Sequence, residues 1–305
     1  MYDVIIIGAG FAGYTSAIYA IRSDLKVLLI GKEPGGAIVD AAEVENYPGY
    51  KKISGFELMQ KFEEQAKDFG TEIMHKEVVD VEKKGEGFIV KTKDKDFETK
   101  SIIFASGTLR RELEVPGAKE YKGKGVHMCA TCDGAFYRDK VVAVIGGSNS
   151  AAHASMLLSR FAKKVYIIYR KEKMRCEPVL LDRIEAKDNM EIIYKNNVTE
   201  VKGDKFVNKI MLENEYNGKK ELALDGVFVE IGSTPNSMLA KKLGVELTEA
   251  HEIIVTPHCE TCVKGIFAAG DVTNTVLRQG ITAAAQGAIA ATSAYGFVTG
   301  KTTET

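Results

Sequence analysis

The sequence has no tryptophan, only 6 prolines and only 5 cysteines in 305 residues. Cysteines this sparse and unevenly placed cannot build the disulfide framework of a small secreted scaffold. Neither charge is in excess: 41 basic side chains face 42 acidic ones, a net charge of −1. A nucleic-acid binder usually carries a basic excess, and this chain has none. Long apolar runs are also missing, and none approaches the ~20 residues of a membrane-spanning helix. Met1-Tyr2-Asp3 opens without the basic leader of a secretory signal. The expected location is the cytoplasm, with neither membrane nor nucleic acid as partner. What is plentiful is glycine, 29 residues, within a composition that is 45% apolar. That suffices for a sizeable core in about two domains, and glycine without proline points to tight strand-to-helix turns.

Residues 2–7, Tyr-Asp-Val-Ile-Ile-Ile, read as a buried parallel strand. Gly8-Ala9-Gly10-Phe11-Ala12-Gly13 follows at once and gives G-x-G-x-x-G. Residues 14–21 then read as a helix and 26–30 as a second strand. This is βαβ order with a dinucleotide fingerprint at its first turn. The glycines allow the turn, the approach of a pyrophosphate and close helix–strand packing, while the helix start offers free N–H groups. Glu33, just beyond the second strand, is the acid available for ribose hydroxyls. The order recurs with a strand at 140–145, the turn Gly146-Gly147-Ser148-Asn149-Ser150-Ala151, a helix at 151–161 and a strand at 165–169. The chain therefore reads as an internal duplication. In the second copy Ser148 and Ala151 replace glycines, and the strand ends in a basic cluster, Arg170, Lys171 and Arg175. Such a cluster suits a 2′-phosphate, favouring NADP over NAD. Residues 87–104 read as two strands about a lysine-rich turn at 91–100, 265–271 as a buried strand ending in an acid, 281–295 as a helix, and 302–305 as a frayed end.

Cys129-Ala130-Thr131-Cys132 puts two sulfurs across one turn, with Asp133 next in line as a proton donor or acceptor. A helix starting there would lower a thiol pKa. The pair reads as a redox dithiol; half of a zinc site, for which His127 is the only nearby histidine, and two inert thiols are the other readings. Cys259 and Cys262 form a second pair that reads as accessory thiols, with a second dithiol or a shared zinc site as alternatives. Cys176 reads as structural, and no metal is assigned.

Two dinucleotide turns beside a dithiol are an unusual combination. The stretches that carry it are residues 8–13, Gly35-Gly36, Glu43-Val44-Glu45-Asn46-Tyr47-Pro48-Gly49, Ala105-Ser106-Gly107-Thr108, Cys129-Ala130-Thr131-Cys132-Asp133-Gly134, Gly270-Asp271 and Arg278-Gln279. With them the whole chain resembles the low-molecular-weight thioredoxin reductases, class II pyridine nucleotide-disulfide oxidoreductases.

The resemblance implies an α/β fold of two Rossmann-like, three-layer dinucleotide-binding domains, the second inserted into the first. Residues 1–113 and 243–305 would bind FAD, and 114–242 would bind NAD(P)H and hold the Cys-x-x-Cys. FAD would lie on Gly8, Gly10, Phe11, Ala12 and Gly13, on Gly31, Glu33, Gly35, Gly36 and Ala37, and near Asn46 and Thr108. Gly270, Asp271, Arg278, Gln279 and Gly280 would complete its site. NADPH would lie on Gly146, Gly147, Ser148, Asn149 and Ser150, with Arg170, Lys171 and Arg175 at its 2′-phosphate. Electrons would pass from NADPH through FAD to the Cys129/Cys132 disulfide and on to thioredoxin or a thioredoxin-like protein. In that scheme Cys132 faces the flavin, Cys129 attacks the substrate disulfide and Asp133 is the acid/base. The family is homodimeric and rotates one domain against the other, with breaks near 113–118 and 236–244 suited as hinges.

Ser148, His153-Ala154, Ala37 and the pair Cys259/Cys262 depart from the family pattern. They leave NADH or ferredoxin as other electron sources, and a non-turnover redox carrier or sensor as a competing function.

Overall fold

The computed structural model describes residues 1–301, so the frayed end expected at 302–305 lies outside the described residues. Contacts divide the chain into two units, Met1–Leu109 with Thr234–Thr305, and Arg110–Ser233. Each unit is built on parallel strands with an apolar layer on either side, the arrangement that repeated βαβ order produces.

In the first unit β1 (Tyr2–Ile7) is the β-branched run itself, and α1 (Phe11–Arg22) starts three residues before the expected position. β2 (Val27–Ile30) pairs parallel with β1. A 3-10 helix (Gly36–Asp40) precedes α2 (Gly55–Asp68). The start of α2 is capped because the Ser54 hydroxyl accepts from the Glu57 N–H at 3.1 Å, the spacing of a capping box. β3 (Glu72–Met74) joins β2. β4 (Val78–Lys84), β5 (Gly87–Thr92) and β6 (Asp96–Phe104) form antiparallel neighbours, and β6 also pairs parallel with β1. The lysine-rich turn is shorter than expected, only 93–95: Lys91 and Lys100 sit within strands, whose alternation exposes Lys100 while burying Phe97 and Thr99. β7 (Thr108–Arg110) leads out of the unit.

The second unit begins with β8 (Val126–His127), the one-turn helix α3 (Ala130–Asp133) and a 3-10 turn (Gly134–Tyr137). β9 (Val141–Ile145), α4 (Asn149–Leu158), β10 (Lys164–Tyr169), α5 (Pro178–Glu185) and β11 (Met190–Tyr194) repeat the order of the first unit. β12 (Val198–Gly203), β13 (Val207–Tyr216) and β14 (Lys219–Ala223) make a separate antiparallel sheet. β15 (Gly226–Val229) inserts between β9 and β8, giving the order β11-β10-β9-β15-β8.

The chain returns through β16 (Ser233–Pro235) and α6 (Met238–Lys242) to β17 (Ile266–Ala268), which pairs parallel with β6. α7 (Gly280–Thr299) closes the first unit and stops at Gly300, whose φ of 68° is left-handed. Among the described residues, no helix is long and apolar enough to cross a membrane.

α1 and α7 pack so closely that the Ser16 hydroxyl donates to the Gly287 carbonyl at 2.9 Å. A Cβ on Gly287 would stand 2.4 Å from the Ala12 carbonyl oxygen. Backbone cannot turn aside as a side chain can, so Gly287→Val should destabilise the protein by about 1–3 kcal/mol through overpacking. A lower denaturant midpoint at unchanged slope would show it.

Candidate active site

The first glycine turn lies at the carboxyl ends of β1, β2, β6 and β17, where open α/β sheets bind ligands. Gly8 has a φ of 121°, and a Cβ there would strike the Ala105 carbonyl oxygen at 2.1 Å, so only glycine fits. Gly13 and Gly31 likewise make room for their own chain, Gly13 against the Gly8 carbonyl and Gly31 against Ala9. Gly10 differs: a Cβ there would find one atom within 4 Å, the Gly35 oxygen at 3.8 Å. The space before the turn is open. No side chain caps α1, so the amides of Phe11, Ala12 and Gly13 point out of its first turn.

Several expected residues converge on this turn. The Gly35 N–H donates to the Ala9 carbonyl at 2.7 Å, and Gly36 lies over the Gly10 Cα. Gly270 lies beside Ala12, and Gly280 beside the Phe11 ring. Asp271, next to Gly270, is half-buried, and burial pushes its carboxyl up, with Arg278 pulling the other way. Among the described residues nothing donates a hydrogen bond to it. The Asn46 amide donates to the Gln279 Oε1 at 3.1 Å, joining two residues far apart in sequence. Arg278 is tied to Glu252. Glu33 and Ala37 are exposed and Thr108 is half-buried, and among the described residues none of these side chains hydrogen-bonds to the cluster.

In the second unit Gly146, Gly147 and Ser148 link β9 to α4. The Tyr169 ring fills the place of a Gly147 Cβ, at 2.4 Å. Ser148 is the N-cap residue, and its hydroxyl caps nothing. The Asn149 side chain is committed elsewhere: Oδ1 accepts from the Glu177 N–H at 2.8 Å, and Nδ2 donates to the Glu177 carboxylate at 3.0 Å. Its backbone and that of the exposed Ser150 still open α4. The basic loop folds back onto the turn, with the Arg175 N–H donating to the Gly147 carbonyl at 2.6 Å and its Nε to the Tyr169 hydroxyl at 3.0 Å. Arg170, Lys171 and Arg175 are exposed, and among the described residues none has an ion-pair partner. Glu172, the acid of this run, is paired with Lys195 at 2.6 Å, which holds its carboxyl below the usual range.

Cys129 and Cys132 form a disulfide. Cys129 is half-buried at the N-cap of α3, where its Sγ accepts from the Cys132 N–H at 3.1 Å, and Cys132 is exposed. The one-turn helix and its N-cap residue thus carry both cysteines and Asp133.

A family profile described as pyridine nucleotide-disulphide oxidoreductase matches residues 2–287. A thioredoxin reductase of Bacillus subtilis (strain 168) is 39% identical over 301 residues, covering 98% of this chain and 95% of that protein. The crystal structure of Lactococcus lactis thioredoxin reductase matches with a TM-score of 0.94 at 40% identity, over 99% of this chain and 100% of that one. That of T. acidophilum thioredoxin reductase matches with a TM-score of 0.91 at 38% identity, over 97% and 98%. The chain belongs to the pyridine nucleotide-disulphide oxidoreductases, among the thioredoxin reductases.

Within this pyridine nucleotide-disulphide oxidoreductase, one neighbour of the dithiol has no warning in the motifs. His127 Nδ1 lies 2.9 Å from the Asp133 Oδ2, and Nε2 lies 2.7 Å from the Tyr137 hydroxyl. Sequence spacing offered His127 only as a zinc ligand. Glu177, which holds Asn149, and Glu252, which holds Arg278, carry no local signal either. The second cysteine pair is two separate thiols. Cys259 is buried, its Sγ facing the Gln286 carbonyl, and burial pushes its pKa up to about 11. Cys262 is exposed, its Sγ between the Gly244 carbonyl and the Glu246 N–H.

Proposed function

We propose that the protein is an NADPH-dependent, FAD-containing thioredoxin-disulfide reductase, acting as a cytoplasmic homodimer on thioredoxin or a thioredoxin-like protein. The observation that carries this is the Cys129–Cys132 disulfide on a single helical turn with Asp133. Three free cysteines elsewhere agree with a reducing compartment.

The first unit suits FAD: the space before Gly10 is open, the α1 amides are uncapped and, among the described residues, the Asp271 carboxyl lacks a donor. Gly8, Gly10, Phe11, Ala12 and Gly13 would hold the pyrophosphate, Glu33 and the segment from Gly31 through Gly35, Gly36 and Ala37 the adenosine half, and Asp271 the ribityl region. Asn46, Thr108, Arg278, Gln279 and Gly280 would lie toward the flavin ring. The α4 start and the unpaired Arg170, Lys171 and Arg175 suit NADPH. When bound, FAD relays the two electrons of NADPH to the disulfide.

The chain's own residues then perform thiol–disulfide exchange. The Cys129 thiolate bonds to one sulfur of the substrate disulfide, and the other sulfur leaves as a thiolate and takes up a proton. The Cys132 thiolate next bonds to the Cys129 Sγ, releasing the second substrate thiol and re-forming the intramolecular disulfide. Two electrons have moved from the Cys129/Cys132 pair to the substrate. Asp133 supplies or accepts protons at the sulfur beside it.

The test is an absorbance spectrum of the purified protein before and after anaerobic NADPH, followed by turnover with thioredoxin. Flavin absorbance bleached by NADPH and multiple turnover are expected. A colourless protein would end this reading. Bleaching by reduced ferredoxin but not by NADPH would overturn its nicotinamide half, the outcome that Ser148 and His153 make worth checking.

A further inference from the structure

Asp133 needs a fixed orientation to serve one of two adjacent sulfurs, and its own helix is a single turn that cannot supply one. The second unit's sheet supplies it instead. β8 pairs parallel with β15 in a register that sets His127 opposite Phe228. The two rings stack at 5.3 Å and 27°. His127 is thereby locked, its side chain 10% exposed, with Nδ1 on Asp133 and Nε2 on Tyr137. Among the described residues, it is the only side chain that bonds to the Asp133 carboxylate.

We propose that His127 is the positioning residue for Asp133, holding Oδ2 so that Oδ1 stays free for the dithiol. This rests on the reductase reading only for its catalytic consequence. An ionised Asp133 must accept, so Nδ1 carries a proton, and the Tyr137 hydroxyl donates to Nε2 of the neutral ring. Tyr137 keeps its proton because burial, then Asp133 and Asp225, push its pKa up to about 12. If the ring takes a second proton, Nε2 donates to the tyrosine oxygen and the geometry survives. The groups facing His127 are Asp133 from α3, Tyr137 from the 3-10 turn and the uncharged Phe228 from β15. The Lys140 ammonium lies 5.5 Å from the centre of the Tyr137 ring.

The test is a double-mutant cycle on the reduced protein, reading the pH dependence of dithiol alkylation by iodoacetamide, in parallel with turnover. His127→Ala should raise the pH midpoint of alkylation, because a carboxylate stripped of its donor puts more uncompensated negative charge beside sulfur. The shift should vanish in an Asp133→Asn background. Turnover should fall about 10-fold or more in kcat, within the range of lost acid–base assistance, with the KM for thioredoxin unchanged. His127→Asn, which can still donate to Asp133, should recover part of that loss, and it carries the cycle alone if the alanine variant does not fold. An unmoved midpoint, or a shift that persists in Asp133→Asn, would overturn the proposal. A wild-type protein that cannot reduce thioredoxin would sink the functional reading while leaving the alkylation result to stand.

Discussion

Cys132→Ser should cut thioredoxin reduction by at least about 10³-fold, the scale of losing one member of a catalytic unit. NADPH-driven reduction of ferricyanide by the same variant should continue. The reason is chemical. With Cys132 gone, Cys129 can still bond to a substrate sulfur, but no second thiolate stands within its turn to release the mixed disulfide. The variant should therefore trap thioredoxin covalently, as a band on a non-reducing gel that dithiothreitol removes. Cys129→Ser should lose turnover equally but trap nothing, because Cys132 is assigned to resolve the mixed disulfide and not to form it. Trapping by Cys129→Ser and not by Cys132→Ser would exchange the roles of the two sulfurs. Full turnover by either variant would remove the dithiol from the reaction. Ferricyanide reduction guards against a trivial loss, since an unfolded variant would fail there too.

What the sequence made legible follows how local each constraint is. The strand at Tyr2–Ile7 and the turn after it were readable because β-branched burial and a glycine-only backbone are written into adjacent residues. Edges were less so. α1 begins at Phe11 because nothing in Ala12 or Gly13 obstructs a first turn, and α7 runs on to Thr299 because Gly296 is tolerated within a helix packed on its small face. The last strand is shorter than its apolar run because Gly270, at φ 80°, turns the chain away. Within the site, Gly8–Gly13 and the cysteine pair were evident from spacing. His127 was not, since its bond to Asp133 depends on a β8–β15 register set by residues about a hundred positions apart. Nor was the capture of Asn149 by Glu177, which leaves backbone, not that side chain, to face a phosphate.

The second large effect concerns which nicotinamide is used. Arg170→Ala combined with Arg175→Ala should lower kcat/KM for NADPH by about 10²-fold and leave that for NADH within about 2-fold. A charge-assisted bond is worth ~1.5–3 kcal/mol, and two of them would give up to about 10⁴-fold. Both guanidinium groups are exposed, so solvent takes part of that and the lower figure is expected. Neither charge is spent on a carboxylate within the described residues: of the two acids in the loop, Glu172 is held by Lys195 and Glu177 bonds to Asn149. The charge therefore faces outward, beside the turn that Arg175 contacts through its own N–H. That contact is backbone and survives the substitution, whereas the Arg175 Nε bond to the Tyr169 hydroxyl is lost, so an unchanged kcat/KM for NADH is the sign that the turn keeps its place and that the loss reports charge. Rising ionic strength should erode the NADPH preference of the wild type, because exposed charges are screened by salt, and should hardly affect the double variant. Equal losses with NADPH and NADH would mean that these arginines shape the turn and do not read a 2′-phosphate.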